Sequence, residues 1–226
     1  MTRNQFLFGI VAVALIGLGV AAWLVFRGGS DSNITDIPRY TVSVDARDHA
    51  LGSPNAPVQF VEYGAPTCPV CSNWFTTVFP SFKQSYVDTG KVLYVFRVFP
   101  LQPVDLAVEA MGRCLPHEKY FPFIDMMWRN QSKWDPDGYQ IPDIHAALVL
   151  MGGEAGMPEA QVNKCTSDRG VLQAVSAAGQ KAGTTYNINS TPSFLIDGAF
   201  HQQDVMTYEG LEAVLNAEIA RKAGSS

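Results

Sequence analysis

Charge is scarce in this chain. Only 16% of its 226 residues are charged, with a net charge of −5. No basic stripe interrupts that pattern, so the electrostatic footprint of a nucleic-acid-binding surface is missing. Histidine and cysteine each occur four times. His49, His145 and His201 stand alone and read as surface or loop residues rather than as a metal cluster. No internal repeat or low-complexity tract is present. Long uncharged apolar runs are missing too, except at the N-terminus. The 47% hydrophobic content of the chain fits one globular domain plus an appendage.

The appendage runs from Phe6 to Phe26, 21 uncharged residues, close to the roughly 20 that cross a bilayer as a helix. A cleaved signal peptide has an apolar stretch of about 7–15 residues and small residues at the cut. This run is longer and ends in the bulky Trp23-Leu24-Val25-Phe26. Residues 1–27 therefore read as an N-terminal transmembrane helix, with a cleaved signal segment as the alternative. Arg3 and Arg27 flank the run and give little positive-inside bias. Four cysteines in the remainder favour an oxidising compartment, so the globular part is expected on the periplasmic side of a bacterial inner membrane. Residues 28–39 read as a flexible linker that keeps the domain near the membrane.

Beyond the linker, Thr41-Val42-Ser43-Val44 reads as a short edge strand. Val58 to Tyr63 follows a turn-rich stretch, and Val58, Phe60 and Glu62 share one of its faces because strand side chains alternate. Phe75, Val78, Phe79, Phe82 and Tyr86 repeat at helical spacing, with Pro80 expected to kink that helix. Val92 to Phe99 is nearly all apolar, as in a strand buried on both faces of a parallel sheet. Residues from about 103 to 186 read as several helices with loops at Trp134–Gly138 and Gly152–Pro158. Phe194-Leu195-Ile196 is then a strand, Asp197-Gly198 a hairpin turn, and a final helix from Tyr208 buries Leu211, Val214, Leu215 and Ile219. The order is that of an α/β sheet with a large helical insertion.

Cys68-Pro69-Val70-Cys71 lies between the Val58 strand and a helical pattern that begins near Ser72. Two thiols at this spacing can close into a disulfide and reopen, and a helix N-terminus favours the reactive thiolate. Cys68, nearest the unpaired helical N–H groups, is the expected attacking thiol and the more exposed of the two. Pro69 fits the first helical turn. Cys71, one turn inside, is the expected resolving thiol. Val70 adds no charge to stabilise the thiolate, so the potential should fall between the strongest oxidants and thioredoxin. Glu62, on the same face as two apolar residues, is expected to be a buried acid of raised pKa that exchanges a proton with the resolving thiol. Pro192, read alone, is a strand-start proline.

Tyr63 to Cys71, Pro80, Thr191-Pro192 before an apolar strand, and the Leu51–Val58 lead-in together resemble the DsbA-like thiol:disulfide oxidoreductases of the thioredoxin superfamily. The match spans roughly residues 48–222. It implies a thioredoxin fold over 40–102 and 187–226, with a helical insertion at 103–186. It also implies that Pro192 is a cis-proline beside the sulfurs, and that Thr191 tunes them and lends backbone to substrate. The resemblance departs at Val70, where strongly oxidising members carry histidine, and at Thr191, which is more typical of isomerase and reductase relatives. Transfer of disulfides to substrate proteins and its reverse, reduction or isomerisation, both stay open.

By the same resemblance Cys114 and Cys165 form a structural disulfide, with a second redox relay as the alternative. A zinc site from Cys68, Cys71, Cys114 and His117 would leave Cys165, Glu62 and Pro192 without a role. Covalent haem attachment would need a histidine after Cys71, where Ser72 stands. No cofactor or metal is therefore expected. The expected partners are extracytoplasmic proteins with free or mispaired cysteines and a membrane redox partner that resets the active site. With no dimerisation module evident, a monomer is expected. A metal-handling or holdase binding protein is the rival from another class. Met126-Met127-Trp128 reads as core.

Overall fold

The computed structural model describes residues 38–45 and 47–224. The transmembrane helix expected over residues 1–27 and nearly all of the linker lie outside the described residues. Among the described residues no helix is long and apolar enough to cross a membrane.

Five strands, β1 (His49–Leu51), β2 (Val58–Gly64), β3 (Val92–Val98), β4 (Ser193–Ile196) and β5 (Ala199–His201), form one sheet in the order β1-β3-β2-β4-β5. The central pair β2–β3 is parallel and the other three pairings are antiparallel. A parallel pair needs a crossover that packs on the sheet. Here it is α1 (Pro69–Thr77) and α2 (Phe79–Phe82), which continues into a π-turn over Lys83–Val87. Phe60, Tyr94 and Phe194 of the sheet meet Trp74 and Phe82 on this face. The helical stretch follows as α3 (Pro103–Arg113), α4 (Tyr120–Arg129), α5 (Gln131–Trp134), α6 (Ile144–Glu154), α7 (Glu159–Thr166) and α8 (Arg169–Tyr186). Ala182 and Tyr186 of α8 cover the opposite face, against Val61, Val95 and Leu195. The hairpin and α9 (Tyr208–Gly224) close the fold.

Sheet and helices share one hydrophobic cluster, which runs from Phe60 and Tyr94 through Met111 and Ile124 to Met151 and Val162. Phe123, Met127 and Trp128 are buried in it, while Met126 is only partly covered. The Asp197-Gly198 turn has positive φ at both residues, +48° and +81°, the geometry that joins two twisted strands across two residues.

Several expectations need correction. Thr41–Val44 is not a strand. Tyr40, Val42 and Val44 pack on the α8-side cluster. The Ser43 carbonyl accepts from Arg97 Nη2 at 2.6 Å. β1 holds the edge beside β3 instead. The first helix opens at Pro69, ahead of the apolar pattern, and is interrupted at Val78, just before Pro80. α6 runs through Gly152 to Glu154, because Gly152 is a contact point: a Cβ there would lie 2.4 Å from Val162. Trp134 belongs to α5 and is fully buried, not part of a loop. In α9 it is the ion-paired Glu218, rather than Ile219, that is fully covered. Two histidines read as surface residues are in strands and buried. His49 stacks on Tyr120 with ring centroids 3.4 Å apart, and His201 meets Asp204 through Nδ1 at 2.6 Å. His145 is exposed beside Asn163.

Candidate active site

β2 ends at Gly64, and the turn Ala65-Pro66-Thr67 carries the chain to Cys68, the N-cap of α1. Cys68 Sγ occupies the position of a capping oxygen and accepts the Cys71 N–H at 3.1 Å. Pro69 follows as the first helical residue, where its lack of an N–H leaves nothing unsatisfied. Val70 projects outward and is 49% exposed. Cys68 is less open than the sequence predicts, at 4% exposed against 0% for Cys71, because the 190–193 segment leans over it. The Thr191–Pro192 peptide bond is cis, and the Thr191 carbonyl lies 3.5 Å from Cys68 Sγ. Ser193 Oγ donates to the Ser190 carbonyl at 2.8 Å, and Gln202 Nε2 donates to Ser190 Oγ at 2.7 Å, which hold this segment in place.

The two thiols are displaced in opposite directions. Hydrogen bonding from the Cys71 side chain, against the opposing effect of burial, lowers Cys68 from 9.0 to about 7. Thr191 and the N–H groups of Cys71 and Val70 add to that lowering. In the dithiol state Thr191 Oγ1 is buried without a formed hydrogen bond, so its influence is one of proximity. Cys71 is raised well above its ordinary value, first by burial, then by its hydrogen bond to Cys68 and by the charges of Cys68 and Glu62. One sulfur is prepared to carry charge and the other to hold its proton.

Glu62 lies beneath them with no exposed surface. Burial raises its carboxyl to about 8, against the hydrogen bond that Tyr94 Oη donates to Oε2 at 2.7 Å. Oε1 has no partner. Gly64 leaves room for it, since a Cβ there would lie 3.1 Å from Oε1 and 2.8 Å from the Phe96 ring. A protonated carboxyl with a free oxygen near a buried thiol can pass a proton.

The turn that precedes Cys68 is held by the helical stretch, which the sequence did not reveal. Trp128 Nε1 donates to the Ala65 carbonyl at 3.1 Å and Gln131 Nε2 to the Pro66 carbonyl at 2.8 Å. Asp105 accepts the Thr67 N–H at 2.8 Å and the Thr67 hydroxyl at 3.1 Å. An acidic residue just after Pro103 at a helix start was the one available signal.

Cys114 and Cys165 are bonded to each other, linking the end of α3 to α7 with Cα atoms 6.2 Å apart. Cys114 is thus unavailable to the zinc set weighed with Cys68, Cys71 and His117. No group of three or more metal-ligating side chains exists among the described residues.

Known proteins resemble this chain in sequence and in fold. A candidate protein-disulfide oxidoreductase of Rickettsia bellii is 30% identical over 161 residues, covering 71% of this chain but only 61% of its own length. A candidate disulfide bond formation protein D of Bacillus cereus is 26% identical across 98% of this chain and all of its own. The crystal structure of Wolbachia pipientis alpha-DsbA1 superposes with a TM-score of 0.70 at 25% identity, covering 86% of this chain and 98% of that one. A thioredoxin family profile matches residues 45–217. The chain belongs to the thioredoxin family and, within it, is similar to the DsbA-like thiol:disulfide oxidoreductases.

Proposed function

We propose that this protein is a thiol:disulfide oxidoreductase that transfers a disulfide from Cys68–Cys71 to thiols of substrate proteins. The observation that carries this reading is the placement of Cys68 Sγ at the N-cap of α1, accepting the Cys71 N–H at 3.1 Å with the Thr191 carbonyl 3.5 Å away. The opposite displacement of the two thiols, Cys68 down to about 7 and Cys71 up, accords with it. A substrate thiolate attacks Cys68 Sγ of the oxidised pair. The Cys68–Cys71 bond breaks, a mixed disulfide forms at Cys68, and Cys71 leaves as a thiolate that takes a proton from Glu62. The substrate's second thiolate then attacks its own half of the mixed disulfide and releases Cys68 as a thiolate. Substrate leaves with one new disulfide, and the enzyme keeps the electron pair as a dithiol.

Thr191 and Pro192 offer a backbone edge against which an extended substrate docks by strand addition. Tuning by Thr191, the proton role of Glu62 and the docking edge belong to this reading. The Cys114–Cys165 bond supports an oxidising compartment. With the apolar run at residues 6–26, it favours the periplasmic side of a bacterial inner membrane, where a membrane redox partner would reoxidise the pair. Nothing in the reading requires a dimer.

A second reading keeps the same chemistry in reverse. A Cys68 value near 7 is also that of thioredoxin, whereas DsbA lies near 3.5, so a reductase or isomerase fits the same thiols. Mixing oxidised protein with a reduced two-cysteine peptide tests the role itself. Stoichiometric transfer to the peptide is expected. Cys71→Ser, mixed instead with the oxidised peptide, should attack the peptide disulfide through Cys68 and accumulate the mixed disulfide. Transfer that survives Cys68→Ser would contradict the assignment.

A further inference from the structure

Asp105 is fully buried, 0% exposed, at the start of α3, yet four donors converge on its two oxygens. Oδ1 accepts the Thr67 N–H at 2.8 Å. Oδ2 accepts the Thr67 hydroxyl at 3.1 Å and the N–H groups of Leu101 and Gln102, both at 2.8 Å. Burial raises the Asp105 carboxyl above its ordinary value, and these four donors oppose that shift by favouring the ionised carboxylate. Thr67 is the residue immediately before Cys68. The 99–102 segment is itself fixed: the Phe99 N–H donates to the Gly64 carbonyl at 2.8 Å, and Pro100 packs so closely on α8 that a Cβ at Gly179 would lie 2.7 Å away.

We propose that Asp105 is a positioning residue for the disulfide-exchange reaction, locking Thr67 to the rigid 99–102 segment so that Cys68 Sγ stays on the N-terminus of α1. The inference rests on the exchange role assigned to Cys68. Trp128 and Gln131 hold the turn only through carbonyl groups. Among the described residues, Asp105 alone grips the N–H and side chain of Thr67, next to the sulfur. In Asp105→Asn one acceptor becomes an NH₂ group. Either the Thr67 N–H or the three donors at Oδ2 then face another donor, and the turn is released.

The sign of the effect separates positioning from charge. Removing a negative charge by itself stabilises a nearby thiolate and lowers its titration midpoint. Release of Cys68 from the helix terminus raises it. In the intact, reduced chain with Cys114–Cys165 left bonded, thiolate absorbance against pH should give a midpoint near 7 for the native protein. For Asp105→Asn the midpoint should rise by about one unit, with alkylation of Cys68 at pH 6 about tenfold slower. Thr67→Val, which removes one of the four bonds, should move it the same way by less. Glu109→Gln, which breaks a buried carboxyl's bonds to Tyr120 and Arg113 elsewhere in α3, should lower the melting temperature and leave the midpoint in place. A folded Asp105→Asn protein with an unchanged or lowered midpoint overturns the proposal. If Asp105→Asn does not fold, an unchanged midpoint in Thr67→Val overturns it. A native protein that exchanges no disulfides removes the underlying role of Cys68 as well.

Discussion

A carboxyl group sealed from water and given one phenolic donor keeps its proton through neutrality. Glu62 has that setting beneath the sulfurs, with a pKa raised from 4.5 to about 8. The unfolded chain releases this proton near 4.5 and the folded one only near 8, so the native state binds more protons across that window. Stability contributed by Glu62 is full below the lower value and is lost as pH rises through the upper one. Glu62→Gln should therefore flatten the fall in melting temperature of the reduced protein between pH 5 and 8, a difference of about 3 to 4 kcal/mol in unfolding free energy. Parallel curves for the two proteins would contradict the assignment. The sequence already marks Glu62, since an acid on the apolar face of a strand needs explaining. It does not mark Tyr94 or Trp128, whose partners lie 32 and 63 residues away, and it marks Asp105 only as an acidic residue at a helix start, not as the partner of Thr67 38 residues away. Their roles exist only after the chain has folded. His49 departs from a surface position for the same reason, since its stacking partner Tyr120 is distant in sequence, whereas His201 meets a carboxylate only three residues on and is buried by its place in β5.

β2, β3 and the β4–β5 hairpin follow from local patterns that packing then confirms: apolar runs for strands buried on both faces, Asp-Gly for the turn. Where an element depends on a distant partner, its pattern misleads. Tyr40 to Val44 alternates like a strand, but β1 takes the sheet edge. Gly198 shows how tightly that segment fits. With φ at +81°, an added Cβ would sit 2.0 Å from the Tyr40 carbonyl oxygen. Gly198→Ala should cost about 2 kcal/mol or more by denaturant unfolding, and a neutral effect would mean the hairpin and the N-terminal segment are not in contact. The disulfide ties the end of α3 to α7 across a separation of 51 residues. Replacing both Cys114 and Cys165 with Ser should lower stability by at most about 4 kcal/mol in the chain-entropy view. Disulfide transfer by Cys68 should persist. Loss of transfer in a folded double variant would make this pair a redox relay instead.

The molecule places its reactive turn where two parts of one core meet. The parallel strands supply Glu62 and the turn's starting point, the crossover helix supplies the N-terminus under Cys68, and the helical stretch holds the turn from outside. The order of strand, helix, strand, helical stretch, hairpin and helix is legible from periodicity. The junction is not, because it depends on α3, α4 and α5 folding back onto residues 65–67. Joint ownership of the site predicts that unfolding is a single transition, with fluorescence of the buried tryptophans and loss of Cys68 reactivity following the same denaturant midpoint. Separate midpoints would mean that the helices fold apart from the sheet. The central claim is that Cys68 and Cys71 form an exchanging pair rather than a structural bond. Equilibration of the intact protein with glutathione, read by mass spectrometry of the Cys68–Cys71 peptide, tests it most directly. A reduction potential between about −120 and −270 mV is the expected result, whereas a value below about −300 mV, the range of structural disulfides, would contradict it.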